Sequence, residues 1–432
     1  MNSGVTRRQF VRASAATLAA TALSSSRVLG ANERVRVGFI GVGNRGGQLI
    51  EALRPHKDAE IVALCDVYEP HLQKWAQECG SSARVFRDFR RMLDLRDLDA
   101  VFVATPDHWH AIQTINACDA EKDVYVEKPL SMTVREGRRM VEAARRSDRV
   151  VQVGVQRRAS RMFSDLAVVI RNGVVGKVTV ARAYRITNMF PSGIGRLADT
   201  EPPDNLDWDM WLGPRPRRPF RANIAPYKFR WWDAYSSQLG NWGVHYFDLL
   251  RWLLDEEAPA SVSCHGGRFA VDDDRTIPDT LHATYEFASG RLLLFGQYEA
   301  SGTSPFARNA EVELRGALGT VFATTSSYEI LPETAGQFGD PKPLPEATTV
   351  RADEGDLTVA HIRDFLDCVK SRQRPRADVE VGHRSTTFSH LGNIALALEA
   401  RVEWDAKRER FTRPDEANRL LHYEYRKPWR LG

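Results

Sequence analysis

Val35-Arg36-Val37-Gly38-Phe39-Ile40-Gly41-Val42-Gly43-Asn44-Arg45-Gly46 is the stretch on which the reading of this chain turns. Val35, Val37, Phe39 and Ile40 form a short apolar run that predicts a strand, and Gly41, Gly43 and Gly46 follow in the order G-x-G-x-x-G. The first glycine permits a tight turn, the second lets a pyrophosphate approach the main chain, and the third lets a helix pack close to its strand. A helix predicted from Gln48 to Arg54 would present free N–H groups to those phosphates, with Asn44 and Arg45 beside them. A second apolar strand, Ile61 to Cys65, ends at Asp66, twenty residues beyond Gly46. A carboxylate there accepts a hydrogen bond from a ribose 2′-hydroxyl and repels a 2′-phosphate, so NAD is expected in preference to NADP.

Upstream, the first thirty residues hold no acidic residue but include Arg7, Arg8, Arg12 and Arg27. Thr6-Arg7-Arg8-Gln9-Phe10-Val11 followed by the small, weakly apolar run Ala13 to Leu23 reads as a twin-arginine export signal over residues 1–31, too short and too polar for a stable membrane span. Such a signal implies export to the periplasm of an already folded protein, with cleavage near Gly30 or Ala31, or retention as an anchor. Removing the leader's four arginines takes the formal net charge from +4 to 0, which leaves no electrostatic case for a nucleic-acid partner. The five cysteines are scattered, with no C-x-x-C spacing, and predict neither a disulfide framework nor a metal site. No later stretch is apolar enough to span a membrane.

Downstream, helix and strand signals alternate, as a parallel doubly wound sheet requires. Helical segments are predicted at Leu72 to Cys79, from Arg90 to Leu95 and at Ile112 to Asp119. Asp99 to Ala104 is a buried strand ending at Thr105-Pro106, with His108 and His110 at the mouth of the sheet. Asp123-Val124-Tyr125-Val126 is another strand, delivering Glu127-Lys128-Pro129 to the crevice where open α/β sheets bind ligands.

The glycine turn, the acidic strand end, Thr105-Pro106 with His110, and Glu127-Lys128-Pro129-Leu130 together resemble the glucose-fructose oxidoreductase, inositol dehydrogenase and rhizopine catabolism (Gfo/Idh/MocA) family, over essentially the whole mature chain. The resemblance implies a Rossmann domain over residues 32–152 and an α+β domain over 153–432 with a large, mainly antiparallel open sheet. It implies a nicotinamide cofactor, a small carbohydrate-like substrate, and homodimers or homotetramers packed through that sheet. It also implies that Lys128 lies near nicotinamide and substrate, that Glu127, Thr105, Pro106 and His110 serve the cofactor, and that Gln156 and Arg157 stand close to both ligands.

The second domain is predicted to open with a strand at Val151 to Val155 and a helix from Phe163 to Arg171 ended by Asn172-Gly173. Strand-rich segments follow at Lys177 to Ile186 and Ser261 to Gln297, with a hairpin of Thr280 to Phe287 and Arg291 to Tyr298 around Ser289-Gly290. Trp208 and Trp211, in a Trp-, Pro- and Arg-rich segment, suit either a sugar face or the core. Helical spacing places Asn241, His245 and Asp248 on one face of the run Gly240 to Trp252. Hydride removal from a carbinol needs a base on its hydroxyl, and His245 is the natural candidate. Trp242 and Asp248 are assigned with Arg157 to the substrate. Many dehydrogenases of the resembled family carry Asp at the position of Asn241, and an amide cannot take a proton. Ala360 to Val369 and Thr386 to Val402 are predicted helices finishing the second domain, and residues 326–354 read as a loop. Three functions remain open: an oxidoreductase of a sugar, sugar acid or cyclitol hydroxyl, an NAD-dependent glycosidase acting through transient oxidation, and a redox-inactive sugar- or nucleotide-binding protein.

Overall fold

The computed structural model describes residues 34–432 except 81, 82, 307, 309, 335 and 341, so the predicted export signal lies outside the described residues. The first unit runs β1 (Val35–Ile40), α1 (Asn44–Leu53), β2 (Ala59–Cys65), α2 (Glu69–Cys79), β3 (Arg84–Phe86), α3 (Phe89–Leu93), β4 (Ala100–Val103), α4 (His110–Asp119), β5 (Asp123–Val126), α5 (Val134–Arg146) and β6 (Val151–Val153). Its strands lie in the order β3-β2-β1-β4-β5-β6, all parallel. The order reverses between β1 and β4, opening a crevice at their carboxyl ends, where ligands of doubly wound sheets bind. The strands are apolar on both faces because helices cover both.

The second unit runs α6 (Arg161–Arg171), β7 (Val178–Asn188), a short α7 (Trp208–Leu212), α8 (Val244–Leu254), β8 (Ser261–Gly267), β9 (Thr280–Glu286), β10 (Leu292–Tyr298), β11 (Ala300–Ser301), β12 (Val312–Gly316), β13 (Gly319–Ala323), β14 (Ser327–Pro332), β15 (Thr348–Arg351), α9 (Leu357–Ser371), α10 (Val379–Leu398), β16 (Val402–Asp405) and β17 (Arg410–Arg413). These strands form an 11-stranded sheet, antiparallel except where β7 meets β10. The predicted hairpin is present as β9 and β10, with Gly290 at φ +77° in its turn. Phe163, Phe247, Leu250, Phe388 and Leu391 of α6, α8 and α10 bury one face of this sheet, and the alternation of β9 sends Leu281, Ala283 and Tyr285 into that core.

Several expectations are corrected. The strand at Val151 completes the first sheet, with Val151 opposite Val124, instead of opening the second domain. β14 and β15 occupy part of the predicted loop. Of the two roles open to Trp208 and Trp211, the structure shows the core, with the rings stacked at 4.8 Å between centroids. Helix α10 starts seven residues before the predicted Thr386, capped by Asp378, and α5 went unread although Thr133 and Glu136 form a capping box at its start.

Helix α9 departs most, because it packs on the first sheet and not the second. Ile362, Phe365, Leu366 and Val369 are buried there, with the Phe365 ring 5.5 Å from Phe102 and 5.9 Å from Tyr125. Truncating a fully buried aromatic side chain typically costs about 3–5 kcal/mol. Phe365→Ala, though far along the chain from the nucleotide domain, is therefore expected to lower the denaturant midpoint and NAD affinity together.

Candidate active site

The glycine turn has the shape of a phosphate cradle. Gly41 has φ +85°, and a Cβ there would stand 2.8 Å from the Thr105 amide nitrogen. A Cβ on Gly46 would meet the Gly41 carbonyl oxygen at 2.0 Å. Gly43 begins α1 without a side-chain cap, so the first-turn N–H groups around Asn44 and Arg45 are left for an anion. The Asp66 carboxylate accepts from the amides of Val42 and Tyr68, each at 2.9 Å, which fixes it at the strand end with lone pairs to spare for ribose hydroxyls. Gln156 Oε1 is buried without a partner, as expected of a group that meets its donor on a ligand. These residues fit a dinucleotide with an unphosphorylated ribose.

The second domain roofs this crevice. Met210, Trp211, Tyr227, Phe229 and Arg230 line it opposite Gly41 and Asp66. The roof is tied down beside the acidic strand end, where the Glu69 amide donates to Asn205 O at 2.9 Å and the Asp207 amide donates to Val67 O at 3.0 Å.

Lys128 enters the adjoining cleft with Asp107, Glu127, Asn241 and Trp242. Its ammonium donates to the Asn241 backbone carbonyl at 2.7 Å and lies 3.4 Å from Asn241 Oδ1. Burial lowers its pKa to about 8 against the pull of Glu127 and Asp107. Burial alone would raise the Glu127 carboxyl, but Arg45, donating to it at 2.7 Å, and then Lys128 hold it below its ordinary value. Thr105 donates through its hydroxyl to Gln113 at 2.7 Å, and its carbonyl and that of Pro129 contact the two His110 nitrogens at 3.0 and 2.7 Å. Thr105 and Pro106 line the nucleotide crevice, while His110 holds the backbone on both sides of it.

Asn241 sits in a widened π-helical turn, Leu239–Gly243, that runs into α8; such turns recur at functional sites. The turn is fixed by its approach: Gln238 donates to Glu299 at 2.6 Å, and Glu299 also accepts from Trp231 and from the fully buried Arg275. His245 follows, partly buried and without a hydrogen bond among the described residues. Burial, then Lys128, Arg157, Arg45 and Arg185, push its pKa well below the ordinary histidine value, so the imidazole is neutral and able to accept a proton.

Asp248 does not join this group. Its carboxylate is buried, accepts from Arg158 Nε at 2.9 Å through both oxygens, and accepts from Ser385 at 2.6 Å. The π-turn upstream breaks the regular spacing that grouped it with Asn241, and Arg158 consumes its charge. Arg157 is also engaged, pairing with Glu311 and lying over the Tyr246 ring at 4.9 Å. Residues missed in the sequence are Asp107, Phe229, Arg230 and Arg185. The last was legible in principle, since β7 alternation puts it on the same side as buried Ala181 and Ala183.

Comparison with known proteins agrees with this geometry. Residues 35–155 match the family described as an oxidoreductase family with an NAD-binding Rossmann fold, and residues 162–431 match its C-terminal alpha/beta domain. Myo-inositol 2-dehydrogenase of Thermotoga maritima is 26% identical over 374 residues, covering 85% of this chain and 98% of that protein. Glycosyl hydrolase family 109 protein 1 of a Shewanella species is 30% identical over 162 residues, 36% of this chain and 35% of its own. A levoglucosan dehydrogenase solved with NADH and levoglucosan superimposes with a TM-score of 0.65 at 17% identity, covering 86% of this chain and 99% of that one. The chain is an oxidoreductase with an NAD-binding Rossmann domain. It belongs to the Gfo/Idh/MocA family. Among the described residues no helix is long and apolar enough to cross a membrane.

Asp66→Ser, which removes the charge facing the ribose, is expected to shift the NADP-to-NAD affinity ratio by at least about tenfold toward NADP. Fluorescence titration with the two reduced cofactors checks this.

Proposed function

We propose that the protein oxidises, or in reverse forms, a hydroxyl-bearing carbon of a sugar, sugar acid or cyclitol, using an NAD that stays bound between turnovers, after export by its twin-arginine leader to the periplasm. The observation that carries this reading is the meeting of the Lys128 ammonium, held by Asn241, with a neutral and unpartnered His245 beside the glycine cradle. Bound NAD would supply the hydride acceptor. His245 takes the proton of the substrate hydroxyl, and Lys128 donates a hydrogen bond to the same oxygen, stabilising the negative charge that develops as the proton leaves and that is discharged when the hydride departs and the carbonyl forms. Asn241 positions the lysine through its carbonyl but takes no proton, so His245 alone passes the proton onward. The backbone bonds that tie the roof to the nucleotide domain beside Asp66 support a resident cofactor, since they hold the roof over the crevice. Residence also suits a compartment without a cytoplasmic NAD supply. We further propose assembly as a homodimer or homotetramer through the outer face of the large sheet, where Tyr184, Tyr298 and Phe322 are half-exposed.

The match to a family 109 glycosidase supports a second reading, in which the same hydride step is transient and an aglycone is eliminated before the hydride returns. Release of aglycone without net NADH distinguishes it from dehydrogenation.

Denaturing the purified, undialysed enzyme is expected to release stoichiometric NAD(H), seen by absorbance and mass; an empty protein that also fails to bind added NAD(H) refutes the proposal. Lys128→Ala is expected to lower kcat by about 10²- to 10⁴-fold with NAD binding retained. The wild-type rate of alcohol oxidation should fall as pH rises through about 8, where Lys128 loses its charge. Below neutrality it should hold until His245 protonates, well under its ordinary value. Lys128→Arg should carry the upper limb out of the measurable range.

A further inference from the structure

The large sheet sets one cation that the proposed reaction leaves unused against Trp242, a wall of the cleft. Arg185 lies near the end of β7 on the helix-covered side of the sheet, with its guanidinium over the Trp242 indole, Cζ 3.7 Å from the ring centroid. Its Nε is buried and has no hydrogen-bond partner. Nearby arginines differ, since Arg182 pairs with Glu313 and Arg157 with Glu311, whereas Arg185 faces no carboxylate among the described residues. Desolvating a guanidinium without an anion is costly, and an aromatic stack offsets only part of that cost.

The stack also says where an anion would sit. Trp242 lines the cleft that holds Lys128 and Asn241, and its ring lies 5.9 Å from the Lys128 ammonium and 6.3 Å from the His245 ring. A group bound by Arg185 would therefore lie against the Trp242 indole, the ring that also neighbours Lys128 and His245. The planar guanidinium fork matches a carboxylate in two parallel hydrogen bonds, and a stacked arginine is already oriented to make them. A neutral sugar or cyclitol would leave the fork unsatisfied. A phosphate monoester, with nearly twice the charge, would call for further donors, whereas Arg157 is committed to Glu311, and Arg230, which lines the cleft, donates to the Tyr227 carbonyl at 2.9 Å and lies over Phe229.

We infer that Arg185 recognises a carboxylate on the substrate, and that the carbohydrate handled in this cleft is a sugar acid. The inference deepens the oxidoreductase reading and rests on it for the chemistry after binding, so binding and turnover are measured separately. Calorimetry on the mature, NADH-loaded enzyme compares three matched pairs: glucuronate with glucose, galacturonate with galactose, and gluconate with glucitol. Glucose 6-phosphate is added as a fourth probe. At least one acid is expected to bind about tenfold or more tighter than its neutral partner. Arg185→Met should bring that ratio close to one, and Arg185→Lys, which keeps the charge but loses the fork, should retain an intermediate preference. Circular dichroism and retained NADH binding verify that each variant is folded, and the lysine variant decides the matter if the methionine variant is not. Equal binding within all three pairs, tighter binding of the phosphate ester, or an undiminished acid preference in a folded Arg185 variant overturns the inference. Turnover of the same compounds separates the two claims. An acid that binds through Arg185 yet never reduces NAD refutes dehydrogenation and leaves the carboxylate site standing. Neutral sugars bound and oxidised as well as the acids refute the site and leave dehydrogenation standing.

Discussion

The hydrogen bond from the Lys128 ammonium to the Asn241 carbonyl is the contact on which both halves of the molecule converge. An ammonium withdrawn from bulk water needs a fixed acceptor. Here that acceptor belongs to the other domain, so the lysine is placed only when the two domains dock. One helix serves as the reference for both partners. On α10, Thr386 accepts from the Leu130 amide at 3.1 Å, two residues beyond the lysine, and Ser389 donates to Leu239 O at 2.7 Å, at the first residue of the π-turn. Ser385 of the same helix holds Asp248, and through it Arg158. The separation between the ammonium and the imidazole thus depends on the polar side chains of a single buried helix.

Those same side chains explain what the sequence concealed. The nucleotide domain was readable because each of its signals is local: a strand, three glycines, a carboxylate after the next strand, and a lysine between a strand and a proline. Packing merely confirms such elements. Helix α10 hides its first two turns because Gly382, His383 and Ser385 interrupt the apolar stripe while lying buried, and Thr386 and Ser389 continue the polar run beyond them. The burial of the three hydroxyl residues Ser385, Thr386 and Ser389 is tolerated through partners more than a hundred residues away in the chain, as with Thr386 and Leu130 or Ser385 and Asp248. No periodicity argument contains those partners. Asp248 was misjudged for a related reason, since regular helical spacing was extended across a turn that is not α-helical. The identities of Lys128, His245 and Asn241 could be read from the chain, but the backbone role of Asn241 could not, because it depends on a main-chain atom and not on the amide that distinguishes the residue.

The cleft also shows how charge is arranged for chemistry. Arg45 neutralises Glu127 from the nucleotide side, a backbone carbonyl takes the Lys128 ammonium, and burial, helped by the surrounding cations, keeps His245 uncharged. The acid and the base of the proposed reaction are thereby held in opposite protonation states at neutral pH.

Helix α9 bears on how this architecture can be cut and recombined. It comes from the C-terminal half of the chain, yet it covers Phe102 and Tyr125 in the middle of the N-terminal sheet. A fragment ending near residue 155 would expose that aromatic surface to water, and the remainder would carry an amphipathic helix with nothing to cover. The two halves are consequently unsuited to independent expression or to exchange with the halves of a relative as simple N- and C-terminal cassettes. A chimera would need to move the first sheet together with α9, treating as one module two segments separated by roughly half the chain.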